Sequence, residues 1–182
     1  MEFNEHYALR DKHAFLSPSK SSWLRYDYQQ LETRFHKWKA AKRGTDLHAL
    51  AHEAIRLGIK LDSDNQALAA YVADAINLGM VCEQTLVYSE NCFGSADTIC
   101  FDGENLIIHD LKTGITPAKL EQLMVYAALF CLEYQIDPHT INIHVAIYQR
   151  DAKLEDDANP DDVAAIMLKI VEFDNYVESL RG

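Results

Sequence analysis

The sequence lacks any apolar run long enough to cross a membrane. Its longest largely apolar stretch, residues 124–132, is far shorter than the roughly 20 residues that a spanning helix needs. The opening stretch, MEFNEHYALRDKH, also lacks the apolar segment of a secretory signal. We therefore expect an intracellular, cytoplasmic protein with no membrane partner.

Cysteine is scarce, and its spacing carries no metal signature. The four cysteines, at positions 82, 92, 100 and 131, form no Cys-x-x-Cys pair, which excludes the usual zinc and iron–sulfur patterns. We expect them to be buried free thiols. The string HALAHE, residues 48–53, is not a zinc-peptidase motif either, because its glutamate follows the second histidine.

An excess of positive charge is missing too. Aspartate and glutamate number 28 against 17 lysines and arginines, and the net charge is −11. The charge is polarised, however, because residues 10–43 carry a net +6 and residues 151–182 a net −6. Local field governs phosphate binding more than net charge does, so the basic segment can still bind DNA. Its Phe35 and Trp38 can stack on bases of a single strand, pack into a core, or do both.

The composition, 48% hydrophobic and 25% charged, is that of an ordinary globular domain. Internal repeats and low-complexity tracts are missing as well, so we expect one domain over residues 1–182. We expect it to contain a basic helical part (1–43), a core sheet with its helix (81–148), an acidic linker (151–160) and a C-terminal helix (161–182). The apolar stripe of the last helix either packs on the domain or mediates self-association.

Helix and strand signals alternate along the chain. Helices are predicted from Ser17 to about Lys37, from Gly44 to about Leu57, over 63–78, and from Pro117 to about Tyr134. Strands are predicted over 81–89, 92–101, 105–112 and 140–148. With the C-terminal helix, the order is three helices, three strands, a helix, a strand and a helix.

A hairpin lies at the centre of this pattern. Asp102-Gly103 is a tight-turn signal between two alternating strands. A two-residue loop would set Asp97 diagonal to Asp110, and a four-residue loop would set them directly opposite. Either loop keeps both carboxylates on one face, roughly 5–8 Å apart at Cβ, and Lys112 joins that face because it is two residues beyond Asp110.

Two carboxylates and an ammonium group suit a divalent cation that activates water. Such cations take carboxylate and carbonyl oxygens, which Asp97, Asp110 and the backbone carbonyl of Leu111 can supply. A neighbouring lysine, here Lys112, can orient the water or stabilise the charge that develops on a phosphate. The plainer interpretation is a cross-strand salt bridge on a solvated sheet edge.

Five short motifs follow one another along the chain: HAFLSPS with Trp23, GTDLH, GSAD, DLKTG and QLMVY, which begin at residues 13, 44, 94, 110 and 122. In this order they resemble the PD-(D/E)XK nuclease superfamily, in its RecB-like exonuclease branch. The two upstream motifs are similar to the opening of phage-encoded members, which would place the protein in a host cytoplasm. The resemblance covers about residues 13–130.

The resemblance implies an α/β fold with a PD-(D/E)XK nuclease-like core, in which helices flank a mixed central β-sheet in the order αααβββαβα. It implies that Asp97 and Asp110 bind Mg²⁺ or Mn²⁺, that Lys112 is catalytic, and that His48 completes the metal shell. An imidazole in the shell would suit manganese. Gln122 and Tyr126, one helical turn apart, would support the catalytic site.

One position departs from the family pattern. The family often has an acid four residues after the helical ligand, where this chain has His52, with the acid displaced to Glu53. Which of the two completes the shell stays open.

The implied function is a divalent-metal-dependent DNA nuclease, a phage-type exonuclease acting on DNA ends or single strands, beside a recombination partner protein. DNA contacts are expected from Lys37, Trp38, Lys39, Lys42, Arg43 and Lys119. The alternative is a catalytically silent nuclease-fold module that binds DNA or, as an inhibitor, a basic host protein. The intact Asp97, Asp110 and Lys112 favour the enzyme.

Overall fold

The computed structural model describes residues 14–114, 116 and 119–181. Contacts divide the chain into two units, Met1–Arg43 and Gly44–Gly182. The helix start expected at Pro117 and the His13 of the first motif lie outside the described residues.

The described part of the first unit is helical, but its helices differ from those predicted. A 3₁₀ helix covers Pro18–Arg25, and helix α1 covers Tyr28–Leu57, so that it extends into the second unit. The predicted helix from Ser17 to Lys37 is therefore wrong, because the backbone is extended at Tyr26 and a new helix begins at Tyr28.

A reciprocal cap starts α1. The Asp27 carboxylate accepts a hydrogen bond from the backbone N–H of Gln30 at 2.7 Å, and the Gln30 side chain accepts one from the backbone N–H of Asp27 at 3.2 Å. Two N–H groups near the start of the helix are satisfied in this way. The Asp-x-x-Gln spacing of residues 27–30 is itself a helix-start signal.

Gly44 lies inside α1, so the predicted helix break at this position is wrong. The residue is buried, and a Cβ built on it would lie 2.7 Å from Thr113 Oγ1. Glycine is needed there because α1 passes close to the end of a strand, and not because the helix stops. The unbroken helix carries His48 one turn beyond this contact.

The second unit contains a five-stranded mixed sheet with the strands in chain order. The pairs are antiparallel except for the third and fourth strands, which are parallel. The mixed α/β class is therefore confirmed. The strands are β1 (Val81–Ser89), β2 (Cys92–Phe101), β3 (Asn105–Lys112), β4 (Asn142–Gln149) and β5 (Ala152–Asp157).

The fifth strand replaces the predicted acidic linker, so the prediction for residues 151–160 is wrong. β5 pairs with β4 from Gln149–Ala152 to His144–Asp157, and all six of its residues are exposed. An edge strand with two solvated faces needs no apolar alternation and tolerates charge, which is why its sequence resembles a loop.

Helices cover both faces of the sheet. They are α2 (Gln66–Asn77), α3 (Glu121–Tyr134) and α4 (Pro160–Ser179). One core contains residues of α3 and α4, such as Leu123 and Val163. The other contains residues of α1 and α2, such as Ala51 and Tyr71.

Two smaller expectations have mixed outcomes. All four cysteines are free, as expected, but only Cys131 is buried. The apolar stripe of α4 packs back on the second unit through Val163, Ile166 and Ile170. Within the described chain, no helix combines the length and the apolar character needed to cross a bilayer.

Candidate active site

The β2–β3 register brings the two predicted aspartates to one end of the hairpin. Phe101 pairs with Leu106, which confirms the four-residue loop, and Thr98 pairs with His109. One step further along this register, Asp97 comes opposite Asp110. The apolar pairs lie towards the turn and the two acids lie at the far end, as the alternation predicts.

A chain of hydrogen bonds connects Asp110 to α3. Lys112 Nζ donates to Asp110 Oδ1 at 2.9 Å and to Gln122 Oε1 at 2.9 Å. Gln122 Nε2 in turn donates to the Tyr126 hydroxyl at 3.4 Å. The structure thus brings together four of the predicted site residues, and the i,i+4 spacing on α3 explains how two of them reach the strand.

Asp110 is held in an unfavourable place for a carboxylate. Its residue exposure is 3%. Burial and the nearby charge of Asp97 raise its pKa, although the hydrogen bond and charge of Lys112 act in the opposite direction. The ionised form of Asp110 is therefore less favourable in the folded protein than in water.

The Asp97 side chain, on β2, contacts α1. Its Oδ2 accepts the backbone N–H of Leu111 at 3.0 Å and lies 3.4 Å from Nδ1 of His48. The N–H and C=O of one residue in a strand point to the same side. The Leu111 carbonyl, a predicted ligand, is therefore directed to the side on which Asp97 lies.

A compact group of donors lies where α1 passes this end of β2. His48, His52 and Asp97 each offer one ligand atom, and these three atoms lie within 4.8 Å of one another. Neither Glu53 nor Asp110 is among them. The Glu53 carboxylate accepts hydrogen bonds from Arg56 at 2.9 and 2.6 Å, which lowers its pKa. Of the two residues left open by the sequence, the geometry therefore favours His52, because a fifth residue along a helix points well away from the first.

Unsatisfied polar atoms concentrate at this place. Among the described residues, His52 Nε2 and Asp110 Oδ2 are buried and find no hydrogen-bond partner. Lys112 Nζ is 2.9 Å from Asp110 Oδ2, but that contact is an ion pair without hydrogen-bond geometry. Two further such atoms, Tyr71 Oη and His109 Nδ1, belong to a separate group of rings around Tyr148. Buried polar atoms are normally satisfied by protein, water or an ion, so this donor set fits a hydrated divalent cation.

Three neighbours of the site had no role in the sequence predictions. Gly94 makes room for Tyr126, whose Cε1 would lie 3.1 Å from an added Cβ. Tyr71 is fully buried, and burial raises its pKa, so its hydroxyl stays a neutral donor. Glu83 lies 3.1 Å from His52 Nδ1. The glycine of the GSAD motif was a usable signal, whereas the other two require the fold.

The predicted DNA contacts lie on α1, except for Lys119. Trp38 is half-buried, with ring centroids 5.7 Å from Phe15 and 5.9 Å from Phe35. Lys42 Nζ lies 5.7 Å from the centroid of its ring. These contacts favour the packing interpretation of the aromatic residues. The four cations of α1 that were predicted to contact DNA are all exposed: Lys37, Lys39, Lys42 and Arg43.

Lys119 does not lie on the helix that was predicted to carry it. Helix α3 begins only at Glu121, and Lys119 Nζ is 3.9 Å from that residue's carboxylate. The helix predicted from Pro117 therefore does not include Lys119.

Comparison with known proteins does not identify a family. No family model matches the chain, and no curated protein matches it. Five solved chains do. One, described as "Crystal structure of SSO0001", is 9% identical over 59% of this chain, with a TM-score of 0.33. The match spans 57% of the length of that chain, and a likeness at this TM-score carries no argument about function.

Proposed function

We propose that this protein is a divalent-metal-dependent DNA nuclease of the PD-(D/E)XK superfamily, a phage-type exonuclease that hydrolyses phosphodiester bonds. The observation that carries the proposal is the position of Lys112, 2.9 Å from both Asp110 and Gln122. A salt bridge on a solvated sheet edge would leave the aspartate exposed. Asp110 is instead 3% exposed, which is costly for stability and useful for holding a cation.

Mg²⁺ or Mn²⁺, when bound, would supply a water of lowered pKa and neutralise charge on the scissile phosphate. Asp97, Asp110, His48 and the Leu111 carbonyl would hold this cation. The donor set fits, because it combines carboxylates, a carbonyl and an imidazole.

Lys112 is the residue placed to act on the substrate. An ammonium group has three N–H donors, and two of them are directed to Asp110 and Gln122. The third donates to the attacking water or to the phosphate oxygen on which negative charge develops. Gln122, itself hydrogen-bonded to Tyr126, is a positioning residue that keeps the ammonium group aimed at the substrate.

DNA is the proposed partner, held through its backbone by the exposed cations of α1. Phosphate contacts of this kind need no base-specific geometry. They also explain how a chain of net charge −11 can bind a polyanion, because its positive charge is concentrated in one segment.

The test is cleavage of end-labelled linear single- and double-stranded DNA by the purified protein in manganese, magnesium or EDTA. We expect cleavage with metal and none with EDTA. Lys112→Ala should lower cleavage by about 100-fold or more while the protein still folds and retains DNA. Lys169→Ala is the matched control. The contacts described for Lys169 are with Glu172 and with the Phe173 ring, both on α4.

Two outcomes decide against the proposal. Undiminished cleavage by Lys112→Ala would remove the lysine from its role. Retention of DNA by the wild type without cleavage in either metal would instead support the module that binds and does not cut.

A further inference from the structure

We propose that His52 is a direct ligand of the cation, with the Glu83 carboxylate beside its other nitrogen, so that the site selects a first-row transition ion such as Mn²⁺ over Mg²⁺. The inference rests on the proposed function only for the role of the cation in cleavage. Cation binding is measured without DNA, so the ligand role of His52 and the nuclease activity are tested separately.

The two nitrogens of His52 have different surroundings. Nδ1 lies 3.1 Å from Glu83 Oε1, whereas Nε2 is buried and, within the described part of the chain, accepts and donates no hydrogen bond. A proton on Nδ1, on the side of the carboxylate, leaves the Nε2 lone pair available. Histidines that bind metals in proteins almost always have this arrangement, with one nitrogen on a carboxylate and the other on the ion.

Glu83 is held in an unusual backbone conformation. Its φ is 53°, a left-handed value that residues other than glycine rarely adopt. The β1–β2 register runs from Cys82–Thr98 to Gln84–Ala96, so Glu83 is the position that falls opposite Asp97. Strained conformations persist at functional sites where the surroundings require them. Here the strained residue brings a third carboxylate to the end of the sheet where the candidate ligands meet.

The same helix offers an ordinary surface pair for comparison. His36 and Glu32 are 3.6 Å apart, and their side chains are 69% and 74% exposed. The His52 side chain, in contrast, is 12% exposed although Glu83 is 73% exposed. A surface ion pair gains nothing from burying an imidazole nitrogen without a partner, because desolvating that nitrogen costs free energy. An ion bound to Nε2 accounts for the difference.

The donor set determines the class of cation. Mg²⁺ takes oxygen ligands and releases its waters reluctantly, whereas imidazole nitrogen suits transition ions. His48 and His52 supply two imidazoles beside the Asp97 carboxylate, all within 4.8 Å of one another. His52 and Glu83 also line an open groove of about 1020 Å³.

The test is calorimetric titration of the full chain with MnCl₂ and with MgCl₂, without DNA. We expect the wild type to bind Mn²⁺ more tightly than Mg²⁺. Glu83→Gln, an exposed and conservative change, should weaken Mn²⁺ binding by about 10-fold or more. His52→Gln should weaken it at least as much, and both variants should leave Mg²⁺ binding nearly unchanged. His36→Gln is the matched control and should bind both ions as the wild type does.

Each outcome decides the inference. If both variants bind Mn²⁺ within about 2-fold of the wild type, or lose Mn²⁺ and Mg²⁺ affinity equally, His52 is not a selective ligand. If His52→Gln fails to fold, Glu83→Gln still decides, because its side chain is solvated. If Mn²⁺ binding depends on both residues but DNA is not cleaved, the inference stands and the proposed nuclease function is the part that fails.

Discussion

Two aspartates at opposite ends of the β2–β3 hairpin have opposite surroundings. Asp102, in the turn, is exposed and accepts hydrogen bonds from the Asn105 side chain and from the backbone N–H groups of Glu104 and Asn105, which lower its pKa to about 2. Asp110 is buried, and burial together with the charge of Asp97 raises its pKa. The turn satisfies its carboxylate completely, whereas the far end leaves one oxygen of Asp110 without a hydrogen bond from any described residue.

The contrast shows how stability and function are divided along one ribbon. At the turn, the ionised form of the aspartate is favoured by folding, so its charge stabilises the hairpin. Between the two ends, the apolar pairs Ile99–Ile108 and Phe101–Leu106 stabilise the two strands. This stabilisation offsets the cost of burying the Asp110 carboxylate at the far end. A carboxylate that weakens the fold in this way is expected at a site that a cation completes.

The largest expected effect comes from making the same substitution at both ends. Asp110→Asn should abolish DNA cleavage, because it removes a proposed ligand, yet it should leave the metal-free protein as stable as the wild type or more stable. Asp102→Asn should leave cleavage intact and lower the free energy of unfolding, because the amide loses the charge that the turn favours. Denaturant unfolding in EDTA and the cleavage assay measure the two effects.

The comparison breaks if the two variants change stability in the same direction. A loss of stability in Asp110→Asn equal to that in Asp102→Asn would mean that the Lys112 ion pair stabilises the fold more than burial and Asp97 destabilise it. Asp110 would then be a structural residue, and the case for a cation at this end would be weaker.

The second prediction concerns the backbone that supports the far end. Gly44→Ala adds a Cβ 2.7 Å from Thr113 Oγ1, and such overpacking costs about 1–3 kcal/mol. Alanine also gains about 1 kcal/mol over glycine inside a helix. We therefore expect Gly44→Ala to be neutral or destabilising in the wild type, but to stabilise a Thr113→Ala background by about 1 kcal/mol.

A double-mutant cycle measured by thermal unfolding tests this directly. Cleavage should fall in the single Gly44→Ala variant, because His48 lies one turn further along α1, and recover in the double variant. Additive effects of the two substitutions would show that the helix and the strand end do not depend on their close approach.

The parts of the site that follow from periodicity were predicted from the sequence. Alternation of period two places Asp97, Asp110 and Lys112 together once the turn is recognised, and the helical period places Gln122 one turn before Tyr126. These relations are local, so they need no knowledge of which strand pairs with which.

The remaining parts depend on contacts between distant segments. Glu83 meets His52 only through the β1–β2 pairing and an irregular backbone, neither of which leaves a periodic signal. Gly44 is predicted to open a second helix, whereas the helix runs through it and a contact 69 positions away, at Thr113, requires the glycine. β5 was missed because its exposed edge position removes the apolar pattern by which strands are recognised.

The smallest expected effect concerns a satisfied polar cluster at the start of α4. His139 lies 2.8 Å from Asp137 and 3.0 Å from Asp161, and its hydrogen bonds to Asp161 and then Asp137 raise its pKa above 6.5. A histidine with a raised folded pKa stabilises the protein fully below its unfolded pKa and loses that contribution as the pH rises through the folded value. His139→Gln should therefore be less stable than the wild type at about pH 5.5, with the difference shrinking above pH 7.

Chemical unfolding across this pH range measures the difference in the free energy of unfolding, and Asp161→Asn is expected to show the same pH dependence. Because this cluster resembles Asp102 and not Asp110, DNA cleavage should be unchanged in both variants, and a stability difference that grows with pH would contradict the assignment.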